Sequence, residues 1–258
     1  MTALIEFKRI QVMRGDTLAL NDVSLRIGVG EHVAIIGPNG CGKSTLIKTI
    51  TRECYPVHEE GSSVRILGEE RWNIFELREM LGIVSTDLMN TLTRPISGLE
   101  IVVSGFFASA GVWRHHQVTA EMVRKAERAM ETLGIAHLAE RYVVEMSSGE
   151  ARRALLARAL VHEPRALILD EPSVALDPGA QHELREMIRK LAQSGIGIVM
   201  VTHHLSDLIP EIQRVLLMRE GRIVADGPTK ELLKESTLSS LFGVRLRLFE
   251  QDGFYSLA

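Results

Sequence analysis

Cysteine is nearly absent: Cys41 and Cys54 are the only two in 258 residues. They stand thirteen positions apart with no C-x-x-C spacing, which excludes a disulfide scaffold and points to a reducing, cytosolic compartment. An excess of charge of one sign is also missing, since 30 Lys+Arg against 33 Asp+Glu give a net charge of −3. A polyelectrolyte binder needs clustered cations to neutralise phosphates, so no direct nucleic-acid partner is expected. Long apolar runs are missing too. The longest charge-free apolar stretch, Ile101–Trp113, is interrupted by Ser104, Gly105 and Ser109, whereas a bilayer span needs about twenty apolar residues. Residues Met1–Arg9 carry Glu6, Lys8 and Arg9 and lack the pattern of a secretory signal.

What is present is ample core material, 45% hydrophobic residues, enough for one large domain or one domain with a sub-lobe. Alternation in Ile5-Phe7-Ile10-Val12 and Val23-Leu25-Ile27 reads as half-buried strands. The continuous runs Val33–Ile36, Ala166–Leu169 and Ile196–Val201 read as buried strands of a parallel sheet. Between about 86 and 162 strand signals fade, and Glu121–Leu133 and Glu150–Leu160 carry helix formers at helical spacing. This region reads as an inserted helical lobe. From about Arg214 the pattern returns to short strands (Val215–Met218, Arg222–Ala225), a helix Lys230–Glu235, and a hairpin Val244–Phe249 with Phe254–Leu257 around Asp252-Gly253. Ile101–Trp113 is assigned to the core of the lobe, with any exposed part serving as a partner groove. His115-His116 is assigned to a solvated loop.

The segment Gly37-Pro38-Asn39-Gly40-Cys41-Gly42-Lys43-Ser44 fits G-x-x-x-x-G-K-[ST] and lies between a strand and a helical stretch, where such a loop must lie to wrap phosphates. Glycines turn backbone N–H groups inward, the helix N-terminus adds partial positive charge, Lys43 neutralises the β- and γ-phosphates, and Ser44 offers a hydroxyl to Mg²⁺. Cys41 is a spacer in this loop. Its place at a helix N-terminus is expected to lower its pKa, and bound nucleotide is expected to shield it from alkylation.

Leu167-Ile168-Leu169-Asp170-Glu171-Pro172 is a buried strand ending in two acids. Beside a phosphate loop, Asp170 suits the Mg²⁺ shell, partly through water, and Glu171 suits polarising the attacking water. The strand Ile196–Val201 ends in Thr202-His203-His204, at the edge where ligands collect in open α/β sheets. Ser147 and Glu150 form an S-x-x-E capping box before a helix, and that N-terminus is also a second anion site.

These elements, in this order, resemble the nucleotide-binding subunit of an ATP-binding cassette (ABC) transporter, over essentially the whole chain. The resemblance implies a phosphate-loop NTPase core with a mostly parallel sheet, an N-terminal antiparallel β subdomain and an inserted helical subdomain. It implies one domain over 1–258, with about 1–85 and 163–258 forming core and β subdomain and about 86–162 the helical subdomain. Gly37 through Thr45 become the Walker A loop, Asp170 the Walker B acid, Glu171 the catalytic carboxylate and His203 the switch histidine. Ser147, Gly149 and Glu150 of the signature motif and Asp177 of the D-loop would meet ATP held by a second copy of the chain. The implied cofactors are ATP and Mg²⁺. The implied partners are that second copy, transmembrane permease subunits and, in an importer, a substrate-binding protein, with the chain peripheral on the inner face of the membrane.

Two departures accompany the resemblance. The usual L-S-G-G-Q signature has Ser148 and Glu150 in place of Gly and Gln, and Thr86 stands where a glutamine normally contacts Mg²⁺ and water, with Asp87 as a substitute. Arg14 aligns with the aromatic that stacks on adenine, and its planar guanidinium stacks as well. The tail resembles importer cassettes for iron chelates, cobalamin or molybdate. A soluble cassette ATPase acting on ribosomes or DNA is the alternative, although such relatives usually carry two cassettes or a coiled-coil insertion. A small-molecule kinase would share the phosphate loop but leave Ser147–Glu150 without a purpose.

Overall fold

A computed structural model describes residues 3–85 and 95–258. Strands β1 (Ala3–Arg14) and β2 (Thr17–Gly28) form an antiparallel pair across Gly15-Asp16. Their alternation is interrupted: Arg9 takes φ 45° and its N–H donates to Ser24 Oγ at 2.9 Å, so the burial period slips between Phe7 and Ile10. After β3 (His32–Ile36) and helix α1 (Lys43–Ile50), β4 (Ser63–Ile66) joins the other edge of β1. Helix α2 (Ile74–Met80) then leads into β5 (Leu81–Val84).

The helical lobe holds α3 (Gly98–Val103), α4 (Ala120–Thr132) and α5 (Ser148–Leu160). Each begins on a hydroxyl cap, from Ser97, Thr119 and Ser147, which satisfies an otherwise orphaned first-turn N–H. Strand β6 (Ala166–Asp170), helix α6 (Pro178–Gln193), β7 (Gly197–Thr202), β8 (Arg214–Arg219) and β9 (Arg222–Pro228) complete the core. The chain ends in α7 (Thr229–Leu232), α8 (Glu235–Phe242) and the hairpin β10 (Leu248–Gln251) and β11 (Phe254–Leu257).

The six-stranded sheet runs β5-β6-β7-β3-β8-β9, parallel except for β9. Both faces are covered, which explains the unbroken apolar runs. Val33, Ile35, Ile168, Val199, Val201 and Leu216 face the β1–β2–β4 sheet and α1. Ala34, Ile36, Leu167, Leu169, Ile198 and Met200 face the helices. Two local readings shift. The expected first hairpin strand begins at Leu248, and the expected helix Lys230–Glu235 splits into α7 and α8. In Ile101–Trp113 the first three residues are buried in α3, while Trp113 is half exposed. No helix among the described residues is long and apolar enough to cross a membrane.

Candidate active site

The loop after β3 is clamped in place by close backbone approaches that only glycine permits. A Cβ on Gly37 would lie 2.2 Å from the Met218 carbonyl oxygen, and one on Gly42, which has φ 106°, would lie 2.5 Å from that of Ala19. The Gly221 N–H donates to the Cys41 carbonyl at 2.9 Å, and the Asn21 N–H to that of Gly221 at 2.8 Å. The loop is thereby fastened to the β8–β9 turn and to β2. Lys43, only 5% exposed, folds over it and donates from Nζ to the Gly37 and Pro38 carbonyls at 2.8 and 3.0 Å. An ammonium has three donors, so one is left for a phosphate oxygen. Gly42 is the N-cap of α1 and supplies no side-chain acceptor, so the first-turn N–H groups face the loop without one. Asn39, Gly40 and Ser44 are exposed, and Pro38 and Thr45 half-buried.

Cys41 departs from expectation. It is 4% exposed, and burial pushes its thiol pKa up, outweighing the opposing Lys43 charge and backbone hydrogen bonds. Desolvation of the thiolate therefore wins over the helix N-terminus. A buried thiol is already shielded, so bound nucleotide is not needed to protect it.

Strands β6 and β7 are neighbours, with Asp170 opposite Val201, so their ends place the acids and the histidine at one edge. Glu171 leaves the strand at φ 49°, its N–H still held by the Val201 carbonyl at 2.8 Å. Its Oε1 lies 2.8 Å from His203 Nδ1. An ionised carboxylate only accepts, so the shared proton sits on Nδ1 and His203 Nε2 is left for a ligand. Below this pair lies a polar layer that the sequence reading missed. Buried Asp207 accepts from Ser173 Oγ and from Thr202 Oγ1, and Arg152 of α5, also buried, is attracted by both Asp207 and Asp170. Burial raises the Asp207 carboxyl pKa and lowers that of the Arg152 guanidinium. The available signal was an acid four positions after His203, inside Thr202-His203-His204-Leu205-Ser206-Asp207.

At the N-terminus of α5 the capping box is complete. Ser147 Oγ accepts from the Glu150 N–H at 3.2 Å, and Glu150 Oε2 accepts from the Ser147 N–H at 2.8 Å. Arg141 Nη1 donates to Glu150 Oε1 at 2.9 Å, and the backbone bond from Ser147 is the main reason the carboxyl pKa is lowered. Both Glu150 oxygens are thus engaged within the chain, whereas the Ser147 hydroxyl keeps its hydrogen to donate. Gly149 is buried, and a Cβ there would come 2.9 Å from the Cβ of Ala180 in α6. Asp177 caps α6, accepting from the Gly179 and Ala180 N–H groups at 2.9 and 3.0 Å. The signature and D-loop elements therefore stand side by side, with Ser147 and Asp177 exposed.

Arg14 lies at the end of β1 and donates to Cys54 Sγ at 3.1 Å, so stacking on a base requires it to leave that sulfur. Thr86 and Asp87 lie outside the described residues. The residue types fit Mg²⁺: the Ser44 hydroxyl in the first turn of α1 and the Asp170 carboxylate at the end of β6 are hard oxygen donors that would hold it together with nucleotide phosphates. A bound Mg²⁺ would neutralise phosphate charge there.

A sequence model described as ABC transporter matches residues 20–174, more than half of the chain. The chain belongs to the ABC transporter ATP-binding family. It is 32% identical over 255 residues to the uncharacterized ABC transporter ATP-binding protein YlmA of Bacillus subtilis, covering 96% of this chain and 95% of that protein. It is also 32% identical over 262 residues to the hemin import ATP-binding protein HmuV of Bradyrhizobium diazoefficiens, covering 98% and 93%. Among solved structures, cbiO1 of Clostridium perfringens, part of the ABC transporter complex cbiONQ, superposes with TM-score 0.77 at 28% identity over 93% of this chain and 94% of that one. As a member of the family the cassette binds and hydrolyses ATP and serves as the ATP-binding subunit of a transporter.

Proposed function

We propose that two copies of this cassette close head to tail on two Mg-ATP molecules and thereby drive a separate membrane permease in the import direction. In each half, the Gly37–Thr45 loop holds the phosphates, Asp170 serves the Mg²⁺ shell, Glu171 acts as general base on the attacking water, and His203 Nε2 meets the γ-phosphate. The observation that carries the dimer is the pairing of two exposed helix caps: Ser147 and Asp177 lie on elements packed together through Gly149 and Ala180. A serine hydroxyl at a helix N-terminus is suited to a phosphate, and the chain's own triphosphate already has a cradle in the loop before α1. The cassette functions as one domain over 1–258, with the helical lobe at about 86–162 as its moving part.

The permease reading is supported by a cavity of about 170 Å³ between core and lobe, lined by Arg78, Ser85, Gly105, Arg158 and His162 among others. Among the described residues Arg158 donates to neutral oxygens there, Ser104 Oγ and the Ser109 carbonyl. Burial, and then Arg78, brings its pKa down to about 10. An acidic side chain on a permease loop would offset both. Exposed Tyr55 lies two residues beyond Glu53 of the same lining, and exposed Phe75 one turn before Arg78. With this attachment the chain sits on the inner face of the membrane, with a substrate-binding protein on the other side. The HmuV likeness makes a metal chelate such as hemin the first cargo to test. The alternative acting on ribosomes or DNA is not favoured, since the relatives found are transport cassettes.

The deciding experiment is Glu171→Gln. The variant should bind ATP normally, lose hydrolysis by about 100-fold or more, and elute as an ATP-dependent dimer. A monomer with full ATPase activity would remove Glu171 from its assigned role.

A further inference from the structure

The C-terminal hairpin is connected to the Glu171–His203 pair by direct contacts at every step. Strand β11 packs on the turn 205–207 that follows His203. The Phe254 ring faces the Arg185 and Arg189 guanidinium carbons at 5.4 and 5.5 Å from its centroid. Arg185 Nη1 donates to the Ser206 carbonyl at 2.7 Å, while Arg189 is held by Glu186 and Glu211. Gly253 touches Pro210, where a Cβ would lie 3.0 Å from the proline Cβ, and Tyr255 is buried in the main core. Asp207, the residue after Ser206, is buried and binds two hydroxyls: that of Ser173, two positions past Glu171, and that of Thr202, one before His203.

We infer that Asp207 is a positioning residue that clasps the two strand ends carrying Glu171 and His203, and that the β10–β11 hairpin, through Phe254 and Arg185, holds the turn bearing it. The inference rests on Glu171 and His203 being the hydrolytic pair. The physical reason is that the 2.8 Å contact between them joins side chains from two different strands, so a small shift of either strand end lengthens it. One carboxylate bonded to both ends fixes their separation. The hairpin in turn fixes the carboxylate, because a guanidinium held against an aromatic face cannot swing away from the Ser206 carbonyl without losing the ring contact.

The test uses the full chain with Asp207→Asn, Phe254→Leu and Phe254→Tyr, measuring ATPase kcat and KM together with melting temperature. Asp207→Asn is expected to lower kcat about 10-fold and Phe254→Leu about 3-fold, each with KM for ATP within about twofold of wild type, while Phe254→Tyr, which keeps the ring, restores kcat. In a double-mutant cycle, Asp207→Asn and Phe254→Leu should be less than additive, since both act on one turn. Unchanged kcat in the single variants, additive losses in the cycle, or a kcat loss that follows melting temperature with no rescue by Tyr would each overturn the inference. Glu171→Gln separates this failure from the other: if that variant still loses hydrolysis, the catalytic pair stands and only the clasp is lost.

Discussion

The two helix N-termini assigned to nucleotide in the proposed function are built oppositely. Helix α1 begins on Gly42 with no side-chain cap, so its first-turn N–H groups keep their hydrogen-bonding capacity for a ligand. Helix α5 begins on Ser147 with a full capping box, so Ser147 and Glu150 satisfy two backbone N–H groups within the chain. The first is incomplete without a phosphate, while in the second the capping box answers the Ser147 and Glu150 N–H groups and leaves the Ser147 hydroxyl hydrogen to offer. Under the proposed function the difference assigns the two ends separate tasks: α1 would hold nucleotide in the separate chain, and α5 would contribute once a loaded neighbour arrives. The same logic explains the Gly and Gln positions of the usual signature being filled by Ser148 and Glu150. Glu150 retains the capping bond, and Ser148 is exposed.

The largest break in this contrast is Lys43→Ala. Its ammonium folds over the uncapped loop, bonded to the Gly37 and Pro38 carbonyls. ATP affinity measured by calorimetry should fall about 100-fold or more, about 3 kcal/mol, and hydrolysis should fall with it. Next is Ser147→Asp, which separates structure from function at the capped end. Aspartate is as good an N-cap as serine, so the melting temperature should move by less than about 2 °C. Its charge, however, would face an incoming phosphate, so ATP-driven dimerisation by light scattering should be lost while ATP binding to the separate chain is kept. Dimerisation at the wild-type level would exclude Ser147 from the neighbour's site. Ser147→Ala gives the complementary result, a cap loss of about 1 kcal/mol and a melting temperature lower by about 2–4 °C.

How much of this was readable beforehand follows from the range of each interaction. The phosphate loop, the acid pair and the capping box are local patterns, and the structure places their residues at strand ends and helix starts as their spacing requires. The parallel strands were legible because burial on both faces leaves an unbroken apolar run, as in Val33–Ile36. Long-range packing was not. Nothing local to Gly149 says that Ala180 lies 2.9 Å from where its Cβ would be, and nothing local to Asp207 says that Ser173, 34 positions earlier, donates to it. Cys41 shows the same limit in its electrostatics: the helix N-terminus is visible in the sequence, whereas the burial that outweighs it comes from the β8–β9 turn and Gly37.

The contrast between the two helices extends to their far ends, where the smallest effect is expected. Helix α1 ends on Thr51, whose N–H bonds the Ile47 carbonyl with no titratable group involved. Just beyond α5 stands His162, its ring edge-on to Phe106 at 4.9 Å between centroids. Burial lowers the His162 pKa below the ordinary value, Lys125 and Arg158 act in the same direction, and Glu79 and a backbone bond with Gly105 oppose. A folded pKa below the unfolded one means that the unfolded chain takes up the proton first as pH falls. The neutral ring therefore contributes stability that is present above about pH 6.5 and is lost as pH falls through the folded value. His162→Phe, which keeps the contact with Phe106 and cannot titrate, should lose less melting temperature than wild type between pH 7.5 and 5.5, by at most about 2 °C. Parallel acid limbs in the two proteins would show that His162 is not the group that ties the end of α5 to pH.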